Sequence, residues 1–135
     1  MDLRNLDTVA ACERGMEVII RDLQNQDSNM LISVVGVDSA TYRKEHQRLQ
    51  AKTAIAEKRG KPIVGEELEA LYIELSAKCT TGWKNMELNG VDVAFNFEKA
   101  LEVYNAYPTI KTQVFVALYD RDAFLGNVTK NLSTS

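Results

Sequence analysis

Between Gly65 and Thr81, apolar side chains recur at Leu68, Leu71, Tyr72, Leu75 and Cys79. That i, i+3, i+4, i+7 spacing dictates a helix with one buried face, and no other stretch of the chain is as clearly amphipathic. Glu66 and Glu67 fall in its first turn, at the positive end of the helix dipole. The flanking sequence supplies further helices. Ala40 to Arg59 reads as a long charged helix with a thin apolar face of Tyr42, Leu49 and Ile55, and Asp38 or Ser39 can cap its start. Gly60-Lys61-Pro62 breaks it, and so short a break returns the next helix antiparallel. Asn96 can cap a helix from Phe97 to about Tyr107, with Phe97, Leu101 and Tyr104 on one face. Pro108 suits the first turn of a last helix, where its missing N–H costs nothing. Ile110, Val114 and Leu118, with Phe115 or Ala117, give that helix its apolar side, and it is expected to run on through Asp120–Leu125 to a stop at Gly126.

The N-terminal third has another period. Residues 6–14 form a short helix, with Asp7 as N-cap and Gly15 as stop. Val18, Ile19 and Ile20 are stiff at χ1 and suit a strand over residues 16–22, and a second strand is expected over residues 30–37. The polar, turn-rich residues 23–29 join the two as an antiparallel hairpin. A lone hairpin is marginal in water, so it must pack on the helices. Residues 81–85 read as a loop carrying the only tryptophan, Trp83. Asn89-Gly90 signals a tight turn and a small second hairpin, because both residues tolerate positive φ. The expected class is mainly α with a small β component (α+β): an N-terminal β-hairpin packed on a bundle of about four helices. Residues 1–126 form a single globular domain, and the polar residues 127–135 form a flexible C-terminal tail.

Composition excludes several functions. The 135 residues are 45% hydrophobic and 26% charged, as in an ordinary globular domain. A net charge of −3 with scattered Lys and Arg gives no footprint for nucleic acid. Apolar runs fall far short of the roughly 20 residues of a membrane span. Met1-Asp2-Leu3-Arg4-Asn5 is no signal-peptide start, which points to the cytoplasm. Cys12 and Cys79 are expected to be reduced, at least one of them packed as a small apolar residue. His46 is the only histidine, mid-helix between Glu45 and Gln47, and reads as an exposed surface residue. One histidine and two distant cysteines cannot supply a typical structural zinc site. Neither a Gly-x-x-x-x-Gly-Lys-[Ser/Thr] nor a Gly-x-Gly-x-x-Gly motif is present. No catalytic, cofactor-binding or metal residue is expected, and a binding role ranks above an enzymatic one.

The order of short motifs points further. A strand leads into Gly36-Val37-Asp38-Ser39-Ala40-Thr41-Tyr42-Arg43. Gly82-Trp83-Lys84-Asn85 then precedes Leu88-Asn89-Gly90-Val91 and Phe95. Ala100-Leu101, Tyr107-Pro108-Thr109-Ile110, Gln113-Val114 and Asp120-Arg121-Asp122-Ala123-Phe124-Leu125 follow. This succession, spanning about residues 15–126, resembles the tail assembly chaperones of long-tailed (siphovirus-type) bacteriophages and prophages. The resemblance implies a non-catalytic protein that binds the tape measure protein and keeps it soluble while the tail tube polymerises. It implies residence in the host cytoplasm and absence from the mature virion. Tail tube protein, a frameshifted longer form of the chain and a homo-oligomer are further partners it brings; nucleic acid and membrane are not. Such a chaperone needs an apolar groove for an amphipathic helix. The expected place is between the last two helices and the Trp83 loop. The candidate contacts are Trp83, Phe95, Phe97, Tyr104, Tyr107, Phe115, Tyr119 and Phe124, each with a core role as the alternative. The rival functions are a small phage structural protein (head–tail adaptor or tail completion protein) and a host-directed protein-binding module.

Overall fold

The computed structural model describes residues 1–126; the expected tail, 127–135, lies outside them. A 3-10 turn at Leu3–Leu6 leads to α1 (Thr8–Arg14). The Asp7 carboxylate accepts from the Ala10 N–H at 3.0 Å, as a helix cap should. Gly15 ends the helix at φ +79° and turns the chain directly into β1 (Met16–Arg21). β1 pairs antiparallel with β2 (Asp27–Val34), which is the expected hairpin. β2 starts and ends three residues earlier than the apolar pattern indicates. A bulge between Ile19 and Arg21 shifts the register there, and the Ser28 hydroxyl donates to the Ile20 carbonyl at 2.6 Å. Beyond Val34 the chain leaves the sheet, and its donors go to other elements: Val35 N–H to Cys79 O, Gly36 N–H to Cys12 O and Val37 N–H to Leu118 O. Three successive residues thus join three parts of the chain through backbone bonds alone.

The helices follow their caps. Ser39 Oγ accepts from Tyr42 N–H at 3.1 Å and starts α2 (Ala40–Lys58). Gly65, at φ +62°, precedes α3 (Glu66–Lys78). Asn96 Oδ1 accepts from Lys99 N–H at 2.7 Å and starts α4 (Phe97–Ala106). Pro108 opens α5 (Pro108–Leu118). That helix does not run on to Leu125. It stops at Leu118, whose carbonyl serves Val37, and a separate helical segment covers residues 121–126. The Asp120 carboxylate caps the new segment by accepting from Ala123 N–H at 3.1 Å.

Residues 80–84 are not a loop. They form β3 (Thr80–Lys84), which adds to β2 and makes a three-stranded sheet in the order β1-β2-β3, with Trp83 opposite Ile32. Thr80 Oγ1 holds the Ser76 carbonyl at 2.9 Å and the Tyr104 hydroxyl at 2.6 Å, and so fixes where α3 becomes strand. The small second hairpin is present: β4 (Glu87–Leu88) pairs with β5 (Val91–Asp92) around Asn89 and Gly90, both at positive φ. The molecule is therefore α+β, mainly helical, with the N-terminal hairpin packed on the helices.

The core gathers Cys12, Ile32, Val34, Leu75, Tyr104 and Leu118 from both layers. α3 buries more than one stripe: Ile73, Leu75, Ser76 and Ala77 are all buried, because α2, α4 and α5 surround it. α2 does the opposite. Its first half buries Tyr42 and Leu49, whereas Ile55 is 52% exposed. His46 is half-buried rather than free, stacked on the Tyr42 ring with centroids 5.5 Å apart.

Both cysteines are free and fully buried. Burial pushes the Cys12 thiol up, and the Cys79 thiol up to about 12. Neither is a nucleophile at neutral pH. A disulfide reagent at pH 8 should leave both thiols unlabelled in the native chain and label two per chain in denaturant; native labelling at the rate of a free thiol would contradict this burial.

Arg121 binds Asp38 through two hydrogen bonds, at 2.7 and 3.0 Å, and ties the 121–126 segment to the turn before α2. This side-chain hydrogen bonding holds the Asp38 carboxyl below its usual range, against the opposing effect of partial burial. A carboxyl lowered on folding contributes stability above its unfolded value, and that contribution disappears as pH falls through the folded one. The effect is small, since Arg121 is half exposed. Urea melts from pH 7 to pH 2 should therefore show a wild-type advantage over Asp38→Asn that is constant above pH 5 and vanishes in acid. An advantage that persists unchanged at pH 2 would mean that the pair does not contribute.

Candidate protein-binding groove

The turn hairpin is fixed from beneath. Trp83 Nε1–H donates to the Val93 carbonyl at 2.7 Å, and the indole meets Phe95 edge-to-face with centroids 5.0 Å apart. Val93 N–H in turn donates to Met86 O at 2.8 Å. The hairpin thereby becomes one wall of a groove of about 330 Å³. Val103, Ala106, Tyr107 and Ile110 from α4 and α5 form the opposite wall, and Met30 and Met86 lie between them. Leu88 stands 57% exposed on the hairpin side and Tyr107 46% exposed on the helix side. The rim is charged: Glu87, and Lys99 with Glu102, which pair at 2.9 Å.

These residues are suited to binding apolar surface. Methionine is unbranched and polarizable, so it fits irregular apolar surfaces. Apolar walls with a charged rim match the two faces of an amphipathic helix. Among the described residues, no group of three or more His, Cys, Asp or Glu is placed to hold a metal ion. No helix among them is long and apolar enough to cross a membrane.

The expected groove uses residues 81–85; this groove instead lies between the turn hairpin and the α4–α5 pair, with none of residues 81–85 in its lining, and the eight candidate aromatics do not share one surface. Tyr107 lines the groove, and half-buried Trp83 and Phe95 brace it. Phe97 is half-buried beneath the Lys78 ammonium, 4.2 Å from its centroid. Tyr104 (1% exposed) and Phe124 (0%) are core residues and form no part of an accessible groove. Burial pushes the Tyr104 phenol up to about 12, and its hydroxyl is satisfied by Thr80. Phe115 and Tyr119 lie in a separate aromatic cluster, where Phe115 meets Tyr72 and Tyr119 edge-on at 5.7 and 5.2 Å. The Tyr119 hydroxyl bonds that of Tyr42.

Sequence reasoning missed most of the aliphatic lining: Met30, Met86, Leu88, Val103, Ala106 and Ile110. The one available signal was Leu88 beside the Asn-Gly turn, since an apolar residue on a two-residue strand has no sheet to cover it. A wider, shallower groove of about 740 Å³ lies between β1 and α5, with Ile19, Leu23 and Val116 among its lining. There the Gln113 side chain accepts from Arg21 N–H at 2.7 Å and donates to Arg21 O at 3.0 Å, which caps that end of the edge strand. No known protein family, curated protein or solved structure matches this chain.

Proposed function

We propose that the protein is a non-catalytic phage tail assembly chaperone whose Met86–Tyr107 groove holds the apolar face of an amphipathic client helix. The observation that carries the binding role is the groove itself: methionine and aliphatic lining, a charged rim, and a wall fixed by the Trp83–Val93 hydrogen bond. The client identity comes from the succession of motifs from residue 15 to 126, which makes it the tape measure protein. Tail tube protein, a longer frameshifted form and a second copy of the chain are secondary partners in this reading. The site of action is the host cytoplasm, and the finished virion lacks the protein.

The test is co-expression with the longest helical reading frame downstream of the gene. The client should be insoluble alone and should stay soluble and co-purify when this chain is present. A client equally soluble with and without it would remove the chaperone reading, and presence in purified virions would replace it with a structural role.

A further inference from the structure

β1 is an outer strand of the sheet, paired with β2 along one edge. The Ile20 carbonyl accepts from Ser28, and the Asp22 N–H donates to the Gln26 carbonyl, so even-numbered residues turn their backbone groups toward β2. With a period of two, Glu17, Ile19 and Arg21 turn theirs outward. Arg21 is met there by the Gln113 carboxamide, which accepts from its N–H at 2.7 Å and donates to its carbonyl at 3.0 Å. Those are the two bonds that a residue of a neighbouring strand would make. No described residue takes the outward groups of Glu17 and Ile19. The groove of about 740 Å³ between this edge and α5 leaves space beside them.

The same three residues share the solvent face of the strand, and their side chains are all about half exposed. In order they read acid, apolar, base. Such an edge is complementary to its own antiparallel copy. A twofold axis at Ile19 sets Glu17 opposite the partner's Arg21, twice over, and Ile19 opposite the partner's Ile19. An axis at Glu17 or at Arg21 sets that charge against itself, and so does a parallel, in-register pairing. An axis at Val18 or Ile20 leaves both charges opposite uncharged residues. Pairs within the chain extend the match: Glu17 lies 3.7 Å from Lys84, and Arg21 lies 3.6 Å from Asp27. Signs therefore alternate across the joined strands, from Lys84 and Glu17 to the partner's Arg21 and the partner's Asp27. Exposed Leu23 and Val116 stand in the same groove and add apolar surface for the partner to cover.

We infer that β1 pairs antiparallel with β1 of a second copy of this chain, about a twofold axis at Ile19, and joins two three-stranded sheets into one. Gln113 leaves Arg21 as the pair forms, and the partner's Glu17 takes over both of its bonds. In the monomer the carboxamide guards the edge. The contact is small, so the dimer is a weak one. This pairing is argued from the strand edge and is independent of the client assigned to the Met86–Tyr107 groove.

Sedimentation velocity of the full-length chain, over a concentration series up to about 1 mM, should show a reversible monomer–dimer equilibrium. Glu17→Arg and Arg21→Glu should each weaken the dimer at least about tenfold, because each turns both attractive contacts into repulsions. The double variant, and an equimolar mixture of the two single variants, should recover wild-type association, since opposite charges again face one another. Gln113→Ala, which removes the competing cap, should tighten the dimer about fivefold; indifference to it would overturn this register. If a variant fails to fold, hydrogen exchange of the wild type decides: the Ile19 amide should slow severalfold as concentration rises, and a constant rate would overturn the pairing. A wild type that stays monomeric throughout, or a loss that the double variant does not recover, would also overturn it. A dimer lost in Leu88→Asp but kept in both charge reversals would place self-association in the Met86–Tyr107 groove instead. None of these measurements uses the client, so their failure and the failure of client solubilisation are separate results.

Discussion

Alanine at position 15 should abolish the stable native fold. Gly15 sits at φ +79° and ψ −177°, a region that L side chains do not occupy. A Cβ built there would lie 2.5 Å from the carbonyl oxygen of Val34. The obstacle is backbone, and the backbone after Val34 is committed to Cys79, Cys12 and Leu118, so it has no room to yield. Strain and collision together are expected to cost roughly 4 kcal/mol or more, comparable with the whole stability of a small domain. Circular dichroism and urea unfolding would measure it; a Gly15→Ala chain within about 1 kcal/mol of wild type would show that this junction relaxes.

Phe124→Ala should cost about 3–5 kcal/mol, through the cavity left by a fully buried ring. The ring rests against the bare backbone of Gly36: a Cβ at that position would come within 2.8 Å of the Phe124 ring and 2.5 Å of Cys12 Sγ. Gly36→Ala alone is therefore expected to cost about 2–3 kcal/mol by overpacking. The two substitutions share one space, so alanine at 36 should cost less once Phe124 is truncated. Denaturation midpoints of the two single variants and the double variant would measure this coupling. Strict additivity would mean that the ring and Gly36 are not in contact. Any loss of client binding in Phe124→Ala should track its unfolded fraction, as expected for a core residue.

Local chemistry was the legible part of the sequence. Asp7, Ser39 and Asn96 cap the helices assigned to them, and Asn89-Gly90 makes its tight turn. These signals act over three or four residues, so the sequence contains them whole. β3 was hidden because Thr-Thr-Gly-Trp-Lys has no apolar alternation. It is a strand because β2 offers its free edge and Thr80 is held by Ser76 and Tyr104. The break after Leu118 was hidden for a similar reason, since the group that takes its carbonyl is Val37, some eighty residues earlier. The groove's lining was not legible: of the eight candidate aromatics only Tyr107 is in it. Aromatic residues look alike in sequence whether they fill a core, as Tyr104 and Phe124 do, or edge a groove, as Tyr107 does. Which aliphatic residues converge with Tyr107 depends on β2, the turn hairpin and α4 meeting in space.

The most direct measurement is the affinity of the purified chain for its client when the groove alone is altered. Leu88→Asp and Tyr107→Asp change exposed side chains on opposite walls, so the fold should survive and thermal midpoints should stay near wild type. Each should weaken client binding at least about tenfold, by placing a charge where apolar surface is buried. Undiminished binding by both folded variants would contradict the assignment of the Met86–Tyr107 groove as the client site.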